Sequence, residues 1–276
     1  MPAPALFLVS GLTLYAGAAV AVGLFDRLGA PTVGWWRIAL AAVVLLAWRR
    51  PWRRRWTRRD LVAAALFGVV LAAMNVVFYV AVDHLPLGVA VAIEFLGPVA
   101  VAAVTGRGWQ ERAAIVVAAA GVVLLAGVTL GSGIPREDAV IGLTAVLVAA
   151  ACWAGYIVLG KRVAHAGSGV DGLAVGMAAG AVAFAPFFAW STPEVVTDPP
   201  LLLFLLVVAI CSSVVPYVLD QVVLRRVGMA TFSVLLALLP ATAVLVGAVV
   251  LRQVPTWPEL AGLALVSGAI AMTARS

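Results

Sequence analysis

Apolar residues run along this chain in blocks of about 20, the length a helix needs to cross a bilayer at about 1.5 Å per residue, and short polar stretches separate the blocks. Ten segments meet that test, at about 5–25, 31–48, 61–82, 86–105, 110–128, 139–161, 171–190, 201–223, 228–250 and 257–274. The pattern predicts an all-α membrane protein of ten transmembrane helices. The apolar block at 5–25 has no basic leader and is too long for a signal-peptide core, so it reads as the first span.

The stretches between the blocks alternate in charge. Trp48 to Asp60 holds seven arginines, whereas its counterpart in the second half, Trp190 to Pro200, holds no basic residue and two acids. With the arginine loop placed in the cytoplasm, 14 basic residues fall inside and three, Arg27, Arg136 and Arg252, fall outside. This is the positive-inside pattern, and it puts both termini in the cytoplasm. Trp48, Trp52 and Trp56 recur every four residues among the arginines, which suits an amphipathic stretch in the headgroup layer.

The second half of the chain echoes the first. Tyr15-Ala16-Gly17 matches Trp153-Ala154-Gly155, and Tyr79 matches Tyr217. Gly88 and Ala90 match Gly228 and Ala230, Pro98 matches Pro240, and Gly121 and Gly127 match Gly262 and Gly268, at offsets of 138 to 142. An odd number of helices per copy inverts the second copy. The expected organisation is therefore a first repeat at 1–128, a linker at 129–138 and a second repeat at 139–276. Inverted repeats place a transporter's site near the midplane where the halves meet.

Composition narrows the function classes. The chain is 64% apolar and 11% charged, with a mean hydropathy of +1.14. The net charge of +6 is concentrated in one short loop and at span ends, so it does not indicate nucleic-acid binding. Cys152 and Cys211 stand apart in apolar runs, without the spacing of a disulfide framework or a metal site. No phosphate-binding loop, zinc-protease or nucleophile-elbow motif is present, and no cofactor or metal is expected. The expected partners are a small-molecule substrate, the lipid bilayer and protons, with a homodimer left open.

Charge inside a span is costly, so each instance is a candidate. Arg37 lies about 9 Å from one end of the second span and Glu94 about 12 Å into the fourth, both entered from the same side. Two roles compete for them: an internal ion pair, or a pair that meets a substrate's carboxylate and ammonium. Glu94 stands in Ile-Glu-Phe-Leu-Gly-Pro, where Pro98 has no N–H to give Glu94's carbonyl, so a polar notch is expected there. Pro240 likewise frees Leu236, and Pro216 frees Ser212. Asn75 and Tyr79 share a helix face on the third span, and Ser213 and Tyr217 do so on the eighth. Tyr15, Trp153 and Tyr156 add aromatic surface on the repeat-related first and sixth. As a set they suggest one cavity between the repeats, with Glu94 as the proton-coupling group.

Three runs carry a resemblance: Met74 to Ala102, Ala151 to Arg162, and Ser212 to Asp220. They resemble the threonine and homoserine exporter branch of the EamA family, within the drug/metabolite transporter superfamily. The resemblance implies a ten-helix fold with a central cavity and proton-driven efflux of small amino acids or related metabolites across a bacterial inner membrane. It also implies that Asn75, Tyr79 and Glu94 line the cavity with Trp153 and Tyr156 facing them. The chain departs from that pattern at Leu239 and Asp220, where the family carries glutamates, and at Gln253. The rival reading is an exporter of drugs or cationic metabolites, whose charge would suit Glu94 among aromatic rings. A membrane enzyme and a structural scaffold are the remaining classes.

Overall fold

The computed structural model describes residues 3–105, 108–165, 169–224, 236 and 238–273. Among these, eight helices are long and apolar enough to cross a membrane, and two shorter apolar helices, Leu239–Val250 and Trp257–Met272, follow them. The first three spans are Ala3–Val22, Ala30–Arg49 and Arg58–His84. The fourth is two helices, Leu87–Glu94 and Leu96–Thr105, and the fifth is Trp109–Gly131. The second half begins with Arg136–His165 and Gly169–Phe188. The eighth span is Pro199–Ala209, a π turn at Ile210–Val214, and Val215–Leu224; Leu239–Val250 and Trp257–Thr273 belong to the ninth and tenth. Arg107, Arg225, Arg226, Gly228, Ala230 and Arg275 lie outside the described residues, as do the side chains of Lys161, Arg162, Asp220 and Gln221.

Polar residues set the helix ends. Thr57 accepts the Asp60 N–H at 3.1 Å while its hydroxyl donates to the Asp60 carboxylate at 2.8 Å, a reciprocal cap that starts the third span. Glu259 accepts from both the N–H and the hydroxyl of Thr256 to start the tenth. Arg50 ends the second span in the left-handed region, at φ 51°. A short 3₁₀ turn at Pro51–Arg53 follows, so Trp48, Trp52 and Trp56 do not form a continuous amphipathic helix. Trp48 and Trp52 are exposed, while the Trp56 indole folds back onto the Pro51 carbonyl. Between the fifth and sixth spans, helix continues to Gly131 and resumes at Arg136.

Packing follows the inverted repeat. The first span packs on the eighth and ninth, as the sixth packs on the third and fourth; the second packs on the eighth as the third packs on the seventh. Three pairs face each other directly: second with seventh, fourth with ninth, fifth with tenth. In the last pair, a Cβ at Gly121 would lie 2.9 Å from the Gly262 carbonyl and one at Gly262 would lie 3.1 Å from the Gly121 carbonyl. These two glycines, equivalent by sequence, are thus the point where the repeats cross.

The face opposite the arginine loop carries an exposed ionic cluster. Arg27 pairs with Glu194 at 2.8 Å and with Asp198 at 2.7 Å. Asp198 also caps the eighth span by accepting the Leu201 N–H at 3.0 Å. That N–H first, and the Arg27 guanidinium second, hold the Asp198 carboxyl below the usual carboxylate range. A lowered folded-state value gives stability that is present above the unfolded value of about 3.9 and is lost as pH falls through the folded value. Asp198→Asn should therefore melt below the wild type at neutral pH, and the gap should close on acidification below about 3.9. A gap unchanged from neutral to strongly acidic pH would refute this account.

Candidate functional site

The break in the fourth span is where Pro98 requires it. The helix stops at Glu94, Phe95 takes φ −64° and ψ −9°, and a second helix starts at Leu96 with Pro98 in its first turn. In the ninth span the described helix starts at Leu239, with Pro240 in its first turn. Both prolines fall in a first helical turn, where their missing N–H has no intrahelical partner to lose. Leu87–Glu94 packs against Leu239–Val250.

Glu94 ends its half-helix 8% exposed, and no described residue hydrogen-bonds to it or pairs with it. Beside it, Phe95 meets Trp153 of the sixth span edge-on, with ring centroids 4.6 Å apart. This contact depends on close approach at Gly97, where a side chain would collide with the backbone at Ala150. Tyr156, one helical turn from Trp153, stacks near Phe67 at 4.8 Å and lies 6.5 Å from Tyr217 of the eighth span.

Arg37 is 3% exposed and belongs to a separate cluster. Its Nε donates to the Ser213 hydroxyl at 2.8 Å and its Nη2 donates to the Ser212 carbonyl. Ser212 is the residue whose carbonyl Pro216 cannot serve, so the guanidinium supplies the donor that the helix lacks. The Ser212 hydroxyl donates to the Leu14 carbonyl at 2.9 Å, and Gly17 leaves no room for a side chain against it. The guanidinium also lies over the Tyr79 ring, 5.4 Å from its centroid. Arg37 thus joins the first, second, third and eighth spans.

The contacts among the expected site residues fall as follows. Arg37, Ser213 and Tyr79 form one group, while Tyr156 and Tyr217 form another with Phe67, and Trp153 stands next to the Glu94 break. A π turn at Ile210–Val214 includes Ser213 and ends three residues before Tyr217. Asn75 is buried with its amide turned to the Leu71 carbonyl at 2.7 Å, and Tyr15 is buried at 4%. An open cleft of about 170 Å³ lies elsewhere, lined by Pro86, Val89, Val244, Gln253, Glu259 and Leu263 on the face opposite the arginine loop. There Gln253 Oε1 accepts the Leu87 N–H at 3.0 Å and caps the fourth span. Sequence reasoning passed over Phe67 and Phe95, and it assigned Gln253 no such role.

A broken helix bearing a buried carboxylate at the junction of two inverted repeats is a transporter's arrangement, and the relatives agree. The threonine/homoserine exporter RhtA of Escherichia coli is 34% identical over 264 residues, which span 96% of this chain and 88% of that protein. The chain belongs to the EamA-like transporter family. The family's own signature matches residues 140–275, in the second half of the chain. The threonine/homoserine exporter RhtA of Salmonella typhimurium is 33% identical over 262 residues, 95% of this chain and 88% of that one. A solved structure titled only as the crystal structure of a protein superposes with a TM-score of 0.61 over 99% of both chains, at 18% identity, and shares the fold. As an EamA family member, this is a multi-pass membrane transporter and not an enzyme.

Proposed function

We propose that the protein exports small amino acids or related metabolites of the threonine and homoserine kind across a bacterial inner membrane, by alternating access coupled to protons through Glu94. The observation that carries this reading is Glu94 itself, a buried carboxyl at a helix break that no described residue neutralises. A group held in a permanent ion pair could not trade its proton for a substrate, and no ion pair joins Glu94 to Arg37. The related threonine/homoserine exporters support the substrate class. The drug or cationic-metabolite reading draws on the rings of Trp153, Tyr156 and Tyr217. A buried Arg37 charge weighs against it.

In this proposal the arginine loop and both termini face the cytoplasm, and the repeats occupy 1–128 and 139–276. The charge tally supports the orientation, and the matched packing supports the division. A cysteine placed at Val196 should react with a membrane-impermeant reagent added to intact cells, and one placed at Arg54 should not, in a background lacking Cys152 and Cys211. The reverse labelling would overturn the orientation. The substrate class is tested by comparing metabolites in the medium of cells with and without the protein. Excess threonine, homoserine or a related amino acid is expected, and an excess confined to cationic compounds would favour the rival.

A further inference from the structure

We infer that Arg37 and the Tyr79 hydroxyl form a carboxylate-recognition subsite, so that the transported metabolite is a zwitterion bound by its carboxylate there and by its ammonium at Glu94. This rests on the exporter reading and specifies what that exporter selects.

Three buried groups lead to it. Arg37 carries five N–H donors, of which the Ser213 hydroxyl and the Ser212 carbonyl engage Nε and Nη2. Both acceptors are neutral, and no described carboxylate pairs with the guanidinium. Tyr79 is 0% exposed beneath that guanidinium, and among the described residues its hydroxyl is the one fully buried side-chain polar atom with no hydrogen-bond partner. Glu94 is the third, a buried carboxylate with no cation against it.

Each group alone is costly, since a buried charge is ordinarily paired and a buried hydroxyl ordinarily bonded. The simplest relief would be a direct ion pair between Arg37 and Glu94, and among the described residues none forms. A molecule bearing both charges satisfies all three groups at once. Arginine suits the carboxylate end, because its planar fork matches two oxygens. The two serine contacts hold that fork in place before any ligand arrives, which limits the entropy lost on binding. A cation without a carboxylate would gain at Glu94 and be repelled at Arg37.

The test is counterflow in proteoliposomes, with purified protein preloaded with L-threonine and external competition by L-threonine, L-homoserine and their carboxamides, which keep the ammonium and lose the carboxylate. Each amino acid should compete about ten- to a hundredfold better than its amide, the worth of charge-assisted hydrogen bonds in a buried site. Tyr79→Phe keeps the ring and removes only the unpartnered oxygen. It should weaken the amino acids about three- to tenfold and leave the amides unchanged. Arg37→Lys keeps the charge, loses the fork and should also narrow the gap. Wild-type counterflow in which amides compete equally overturns the subsite while leaving the exporter reading intact, and the same holds if Tyr79→Phe preserves the full discrimination. Counterflow with none of the zwitterions overturns both.

Discussion

Glu94→Gln is expected to abolish uphill export driven by a pH gradient while leaving a downhill exchange that needs more substrate to saturate, because a carboxamide pairs less well with an ammonium. Glutamine has the shape of a protonated glutamate and can occupy the same break in the fourth span, so the helix ends at Leu87–Glu94 and Leu96–Thr105 should not move. What it cannot do is release a proton. One proton moved down a gradient of one pH unit supplies about 1.4 kcal/mol, enough to sustain a substrate ratio of about tenfold. In proteoliposomes with such a gradient, the wild type should approach that ratio and the variant should level off near equality. Counterflow measured without a gradient separates this loss from a failure to bind. A variant that still builds the wild-type ratio would remove Glu94 from the coupling role.

Gly68→Ala should cost the protein its fold. The third and seventh spans cross where Gly68 meets Gly176, and a Cβ added at Gly68 would fall onto the backbone carbonyl of Gly176. Backbone cannot step aside as a side-chain tip can, and Gly180 is also tight, against Gly68's own carbonyl. Overpacking of ordinary cores costs about 1–3 kcal/mol, and a clash with main chain on both sides belongs at or above the top of that range. A large fall in melting temperature in detergent is expected, with little monodisperse protein recovered. Gly127→Ala is the control, since nothing lies within 4 Å of its would-be Cβ. Equal stability of the two variants would show that the helices separate there without penalty.

How far the sequence could be read depends on whether a signal is local. Span lengths, the arginine loop and the repeat offsets are carried by the chain itself, and the pairing of Gly121 with Gly262 became a physical crossing. The break at Glu94 was legible because proline's missing donor acts at a fixed distance of four residues. The partners of Arg37 were not, because its bond to Ser213 joins positions 176 residues apart and leaves no local marker. Phe67 and Phe95 were passed over since, in a chain that is 64% apolar, a ring facing the site looks like a ring facing lipid. The glycines at 172, 176 and 180 do recur every four residues, a known seam for close helix approach. That spacing alone does not say that Gly68 is the partner.

The bond from Arg37 to the Ser212 carbonyl carries an implication for how such a chain can change over generations. Replacing Pro216 would restore an N–H to that carbonyl within its own helix and leave the buried guanidinium competing for its acceptor. Replacing Arg37 while keeping Pro216 would take away the buried donor that the carbonyl has. Either change alone passes through an unfavourable intermediate, and the two together need not. Positions 179 residues apart are therefore coupled, and the cost of changing both should fall below the sum of the two single changes.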